Sequence, residues 1–442
     1  MATRGTWGSD AGFILAAVGG AVGLGNLWGF SYAASQGGGA AFVLLYVGFV
    51  LLVGIPVLTV ELAIGRHAGT STIPALDLVG GRRWRPLGLG FVAAGFGILS
   101  FYSVIMGWTG RMLLDFLRGA VPLDTGAYFG EIATGGDAIT AHVLGMALTM
   151  LVVVGGVKQG IERVSIVLMP ILFLLLLALA AWAATLSGGG PGYAYYLQPD
   201  LSRLFHTSTI TGAAGQAFFS LSLGMGAMIT YASYLGGSGS LPAKAGIIAL
   251  ADTLVAFVGG LLMFPVVYHF GLQQDISDST IGALFIAVPR GILSLGAAGR
   301  IVGSLFFVTL YIAALTSAIS LLEVVTAALI DTLGWARTRA ALVAGATITL
   351  AGIPSALSTD WLGLLFALFG QVFLVFGGFW LAILAGYSWT SGARAELARG
   401  FGNPRLVTAW IWLLRTLVPL VTATVLYFSI DGLADAARAV FG

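Results

Sequence analysis

Apolar runs long enough to cross a bilayer fill most of this chain, and that leaves it few folds. A helical span needs about 20 apolar residues, and lipid tolerates no unpaired backbone. Of 442 residues, 58% are hydrophobic and 9% charged, where a soluble domain carries about 25% charge. The expected class is an all-α polytopic membrane protein, with one transmembrane domain over residues 1–442. Eleven spans are predicted, at 11–35, 40–66, 87–118, 138–156, 163–187, 212–236, 243–271, 299–331, 338–353, 360–389 and 405–430. Between them lie turn-rich segments such as "GGRRWRP", "SGGGPG" and "GGSGSLP". The longest connection, 272–298, holds the apolar stretch "IGALFIAVP". It is too short to span and reads as a re-entrant or capping hairpin.

Lysine and arginine set the orientation. With the N-terminus in the cytoplasm, the inner segments hold 13 basic residues and the outer ones 6. The C-terminus is then outside. The first run shows no small-residue cleavage site and reads as a retained helix.

Composition also excludes chemistry. There is no cysteine, so there are no disulfides, thiolate metals or thiol catalysis. Four scattered histidines offer no metal spacing, and a net charge of +2 gives no case for nucleic acid. No nucleophile–base pair or metal cluster stands out, so an enzyme is not expected.

Two of the spans look interrupted. "AVGLGNLWGFSY" puts Gly23, Gly25 and Asn26 inside span 1. "FFSLSLGMGAMITYASY" puts Gly224 and Gly226 inside span 6, five spans later. Each glycine costs a helix interior about 1 kcal/mol against alanine. Five spans is an odd number, so the second unit enters the membrane inverted. We expect an inverted 5+5 repeat, 11–187 and 212–389, followed by an extra helix at 405–430. Paired interruptions in two halves point to a midplane binding site. There, freed N–H groups suit a carboxylate and freed carbonyls suit a cation.

Other polar residues lie at membrane depth. Asp252 in span 7 is a functional candidate by default. Thr316 and Ser317 in span 8 offer hydroxyl oxygens, although such hydroxyls commonly bond back to the preceding turn. Glu61 and Glu323 adjoin no interruption and read as structural. Tyr102 reads as an interfacial or core tyrosine.

Together "AVGLGN", "GGGAAF", "GIPVLTVELAIGR", "FFSLSLGMGAMITYASY" and "AALTSAIS" resemble the neurotransmitter:sodium symporter family in its eleven-helix prokaryotic form. That resemblance implies the leucine-transporter-like fold and sodium-coupled uptake of an amino acid across a prokaryotic cell membrane. It implies two Na+ sites. The first uses the Ala21 carbonyl, Asn26, Ser220 and Asp252. The second uses the carbonyls of Gly19, Val22 and Ala313 with the hydroxyls of Thr316 and Ser317. Ala251 is the alternative occupant of the span 7 position; Asp252 is preferred because alanine cannot ligate. A carboxylate there also implies no chloride requirement.

The resemblance places the substrate carboxylate against the N–H groups of Leu24 and Gly25 and the Tyr102 hydroxyl. Ile98, Phe219, Ser222, Met225 and Leu321 line the side-chain pocket, with Ala21, Ser220 and Ser317 beside it. A hydrophobic or aromatic amino acid is the expected cargo. Proton coupling through Asp252, or a nontransporting sensor or leak pathway, are the alternatives. Arg4 and Asp331 are expected to pair at a cytoplasmic gate near Trp7, Ser233 and Tyr234. One departure concerns the outer gate. The family reads Trp-Arg-Phe-Pro where this chain has Trp28, Gly29, Phe30 and Ser31, and the span 10 stretch 361–378 holds no acid. Both members of the usual outer arginine–aspartate pair are missing, which leaves Phe219 with Tyr102 as the expected lid.

Overall fold

The computed structural model describes residues 5–237, 239–274 and 280–442. Among these residues nine helices are long and apolar enough to cross a membrane, and a tenth span is bent. The unbroken spans are span 2 (Ala40–Ala68), span 3 (Arg82–Arg118), span 4 (Gly136–Val154), span 5 (Val157–Ala183), span 7 (Leu241–Phe270), span 8 (Ala297–Leu333), span 9 (Arg337–Leu357), span 10 (Thr359–Ser388) and span 11 (Pro404–Phe441). Span 1 is Asp10–Ala21 and Gly25–Gln36, meeting at 57°. Span 6 is two shorter helices, Thr207–Ser220 and Ala227–Ala232, which completes the expected eleven.

Several boundaries move from their expected positions. Span 5 starts at Val157, because a π-helical turn precedes Arg163. Span 11 runs on to Phe441, past residue 430, and its helix is interrupted at Thr416. Span 6 is not continuous over 212–236. Between its halves Ser222, Gly224 and Gly226 have φ of 52°, 78° and 75°, left-handed values that end a helix and that glycine adopts freely.

Packing places the breaks at a seam. Spans 3, 4, 8 and 9 pack against one another, while the halves of spans 1 and 6 pack with spans 2 and 7. The inner half of span 1 also lies along span 8. Spans 8 and 11 are both apolar, but 83% of the most apolar window of span 8 is buried, against 22% for span 11. Span 8 is therefore the axis of the bundle and span 11 is peripheral. The connection before span 8 forms a short apolar helix, Ala283–Leu293. Its Phe285 stacks on Phe129 at 5.1 Å and meets Trp108 edge-on at 5.6 Å. It packs on the helix Thr125–Ile132 and on span 8, a short helix among the described residues where a hairpin was expected.

Candidate functional site

The two breaks face each other, and the polar residues singled out in the sequence gather between them. The buried Asn26 side chain reaches three groups. Its amide nitrogen donates to Ser220 Oγ at 2.8 Å and Asp252 Oδ1 at 2.7 Å, and its oxygen accepts the Gly23 N–H at 3.0 Å. Ser220 donates to Asp252 Oδ2 at 2.5 Å. Asp252, rather than the half-buried Ala251, therefore points inward, and it is wholly buried. Three chain segments separated by more than 190 residues in the case of spans 1 and 6 thus share one network. It is completed by Tyr46, whose hydroxyl donates to Ser220 at 3.0 Å.

A second cluster joins span 1 to span 8. Ser317 donates toward the Val22 carbonyl at 3.0 Å and the Gly19 carbonyl at 3.4 Å. Thr316 stands beside Gly19, where an added Cβ would lie 3.2 Å from its own Cβ. Its hydroxyl bonds back to the Ile312 and Ala313 carbonyls, both at 3.1 Å. Ser317 thus meets two carbonyls of span 1 and Thr316 two of its own helix, with no carboxylate among them. Neutral oxygens of this kind suit a hard monovalent cation, and the first cluster adds one carboxylate to such a set. Among the described residues no group of three His, Cys, Asp or Glu side chains is assembled.

The pocket lies between the clusters. Gly20, Ala21, Gly23, Gly25, Asn26, Ile98, Tyr102, Phe219, Ser222, Met225, Ser317 and Leu321 line it, together with Phe101 and Leu374. Its polar end is the start of the outer half of span 1. The Leu24 N–H donates to the Tyr102 hydroxyl at 3.3 Å, where the helix end favours negative charge. Apart from Ser222 and Ser317 its remaining wall is apolar, and among the described residues it carries no charged side chain. Ser222 reaches across to the Gly20 carbonyl at 3.2 Å.

Phe219 closes the pocket from above, though its partners differ from the expected one. Its ring packs edge-on against Phe366 of span 10 at 5.7 Å. It also rests on Gly25, where an added Cβ would lie 2.4 Å from the ring. Tyr102 holds Leu24 instead of forming the lid. Gln216 donates to the Gly25 carbonyl at 3.0 Å. Above the lid opens a vestibule of about 670 Å³, lined by both Gly29 and Gly363. An added Cβ at either glycine would meet nothing within 4 Å.

The opposite end is shut. Trp7 Nε1 donates to the Tyr231 carbonyl at 2.9 Å and its backbone N–H to the Tyr234 carbonyl at 3.5 Å. Glu162 of span 5 accepts the Gly8 N–H at 2.6 Å and the Ser9 hydroxyl at 3.0 Å. Lys244 pairs with Asp10 at 2.6 Å. Tyr234 donates to Glu323, which also holds Arg337 at 2.7 Å. Ser233 bonds back to Thr230. Asp331 accepts Thr70 Oγ1 at 2.9 Å and the Ser71 N–H at 2.6 Å. Its expected partner Arg4 lies outside the described residues.

One reading is corrected. Glu61 does adjoin a break: its Oε1 accepts the Gly224 N–H at 2.7 Å, from 163 residues away. It holds the unwound part of span 6, which sequence separation hid. Tyr46, Phe101, Gln216, Phe366 and Leu374 were also missed. Each sits in an apolar run or beside a glycine, and nothing in the local pattern marks it.

Comparison with known proteins gives the family and the fold. A family profile described as the Sodium:neurotransmitter symporter family matches residues 4–131 and 128–434. An uncharacterised sodium-dependent transporter of Bacillus subtilis is 36% identical over 441 residues, covering 94% of this chain and 95% of the relative. The Sodium-dependent nutrient amino acid transporter 1 of Drosophila grimshawi is 24% identical, covering 95% of this chain and 76% of its own. The crystal structure of MhsT in complex with L-phenylalanine superposes with a TM-score of 0.87 at 41% identity. It covers 97% of this chain and 100% of that one.

Proposed function

This chain belongs to the sodium:neurotransmitter symporter family, and from that footing we propose that it carries a hydrophobic or aromatic α-amino acid inward with two sodium ions by alternating access. One observation carries the choice of cargo: the pocket wall is apolar, and no charged group faces the side-chain end. MhsT, similar in fold, was solved with phenylalanine. Met225 gives the wall a flexible surface that adapts to side-chain shape.

The first ion uses the Ala21 carbonyl, Asn26, Ser220 and Asp252. A half-turn of the Asn26 amide exchanges its nitrogen for its oxygen, an orientation that a neighbouring carboxylate opposes unless a cation lies between. The second ion uses the carbonyls of Gly19, Val22 and Ala313 with Thr316 and Ser317. The substrate carboxylate meets the N–H groups of Leu24 and Gly25 and the Tyr102 hydroxyl, completing the first ion's shell. The fixed charge of Asp252 does the work an anion would otherwise do, so exchanging chloride for gluconate should leave uptake unchanged. A cytoplasmic N-terminus follows the basic-residue count, and a prokaryotic inner membrane follows the resemblance to the eleven-helix prokaryotic members of the family.

A binding screen of the amino acids with and without sodium tests the reading. We expect saturable binding of one or more apolar or aromatic amino acids that disappears in potassium. Binding of an equal strength in both cations would overturn the sodium assignment.

A further inference from the structure

A groove on the lipid side of the bundle takes no part in the transport path above. It runs between spans 3 and 10. Leu87, Gly90 and Phe91 form one wall, and Phe373, Phe376 and Trp380 the other. Phe376 and Trp380 are 40% and 36% exposed, in a span that faces hydrocarbon. Arg83 and Ser388 stand at the mouth, joined by a 3.4 Å hydrogen bond. The mouth is at the end that the basic-residue count assigns to the cytoplasm.

Length and charge name the occupant. From Arg83 to Phe91 is eight residues of helix, about 12 Å, and the hydrocarbon of one leaflet is about 15 Å thick. The groove therefore follows an acyl chain through most of one leaflet. Arg83 lines its mouth, and Arg82 and Arg85, exposed like it, flank it in the chain. Among the described residues none of them forms an ion pair, and Asp77 on the helix just before them forms none either. Basic clusters at the cytoplasmic edge of a bundle attract anionic headgroups. We propose that this groove binds an anionic phospholipid of the cytoplasmic leaflet, its acyl chain between spans 3 and 10 and its phosphate among Arg82, Arg83 and Arg85.

The floor of the groove connects it to the transport site. The buried Phe91 ring lies against span 10 and the break of span 6. An added Cβ at Gly377 would lie 2.6 Å from its ring, and one at Gly226 would lie 3.3 Å from its β-carbon. Met225, next to Gly226, lines the substrate pocket. A chain pressed on Phe91 therefore holds the unwound segment in place, so the lipid should tighten substrate binding.

Native mass spectrometry of the full chain with phosphatidylglycerol or phosphatidylcholine tests the site without using transport. The wild type should retain phosphatidylglycerol preferentially, and millimolar inorganic phosphate should not displace it. Arg83→Gln and Arg85→Gln should each weaken retention about fivefold. Gly90→Leu should abolish it by filling the groove, since an added Cβ there has only Phe373 nearby, at 3.8 Å. Gly90→Ala, which leaves the groove open, should retain the lipid and so controls for folding. Equal retention of both lipids by the wild type, or unchanged retention in Gly90→Leu, would overturn the proposal.

Discussion

The two ends of this transporter are closed to very different degrees. At the inner end Trp7, Gly8, Ser9 and Asp10 are tied to spans 5, 6 and 7, and Glu323 joins spans 6, 8 and 9 through Tyr234 and Arg337. At the outer end the edge-on contacts of Phe219 and Phe101 with Phe366, and the hydrogen bond of Gln216 to the Gly25 carbonyl, close the pocket. Gly29 and Gly363 both line the open vestibule above that lid, and neither brings a charge to it. Distributed charged and backbone bonds thus shut one end, and a thin lid covers the other. We expect a protein so built to open more readily at the lid end than at the other, with cargo supplying further contacts there.

The largest effect should come from the inner end. Arg337→Ala leaves Glu323 buried without its cation, a loss of about 3–5 kcal/mol. Populations should swing inward by more than a hundredfold, read as cytoplasmic labelling of a single cysteine introduced into this cysteine-free chain. Unchanged labelling would mean that the inner network is not a latch. Next is the centre, where the two ends are coupled. Asn26→Leu keeps volume but removes the polar group shared by spans 1, 6 and 7, and sodium-dependent binding should vanish while folding survives. Normal sodium affinity in that variant would sink the first ion site.

A smaller change would turn the outer end into a copy of the charged gate. Gly29→Arg alone should impair substrate affinity by about tenfold through an unpaired vestibule charge. Gly363→Asp added to it should recover part of the loss. Both glycines line one cavity with room for a side chain, so a double-mutant cycle should show coupling; simple additivity would separate the two positions. The least effect is expected at Gln216→Leu. Losing one hydrogen bond to the Gly25 carbonyl costs about 1 kcal/mol, seen as a faster release of bound substrate. An unaltered release rate would leave the lid to Phe219 alone.

How well the sequence foretold each part depended on whether glycine or charge marked it. Gly224 and Gly226 announced the break of span 6, because two glycines in apolar sequence are costly without a purpose. Asp252 was visible because a carboxylate at membrane depth is rare. Tyr46 and Glu61 escaped for an opposite reason. Their meaning lies in partners 174 and 163 residues away, Ser220 and Gly224. Phe366 and Leu374 were hidden too, since lipid and protein core are equally apolar and periodicity scarcely separates the faces of a span. Phe219 was foreseen as a lid, but its partner Phe366 in span 10 was not.

Gly224 and Gly377 press span 6 directly against span 10. A methyl on Gly224 would lie 2.1 Å from the Leu374 carbonyl oxygen, and one on Gly377 would lie 2.3 Å from the Gly224 carbonyl oxygen. In mutational terms this is a locked pair. A saturation library should tolerate almost nothing at either position, and no second change elsewhere in a side chain can compensate, because the obstacle is main chain on both sides. Sequence drift toward new cargoes must therefore pass through the adjustable wall of Met225, Phe101 and Leu321, while the contact between the two spans stays fixed.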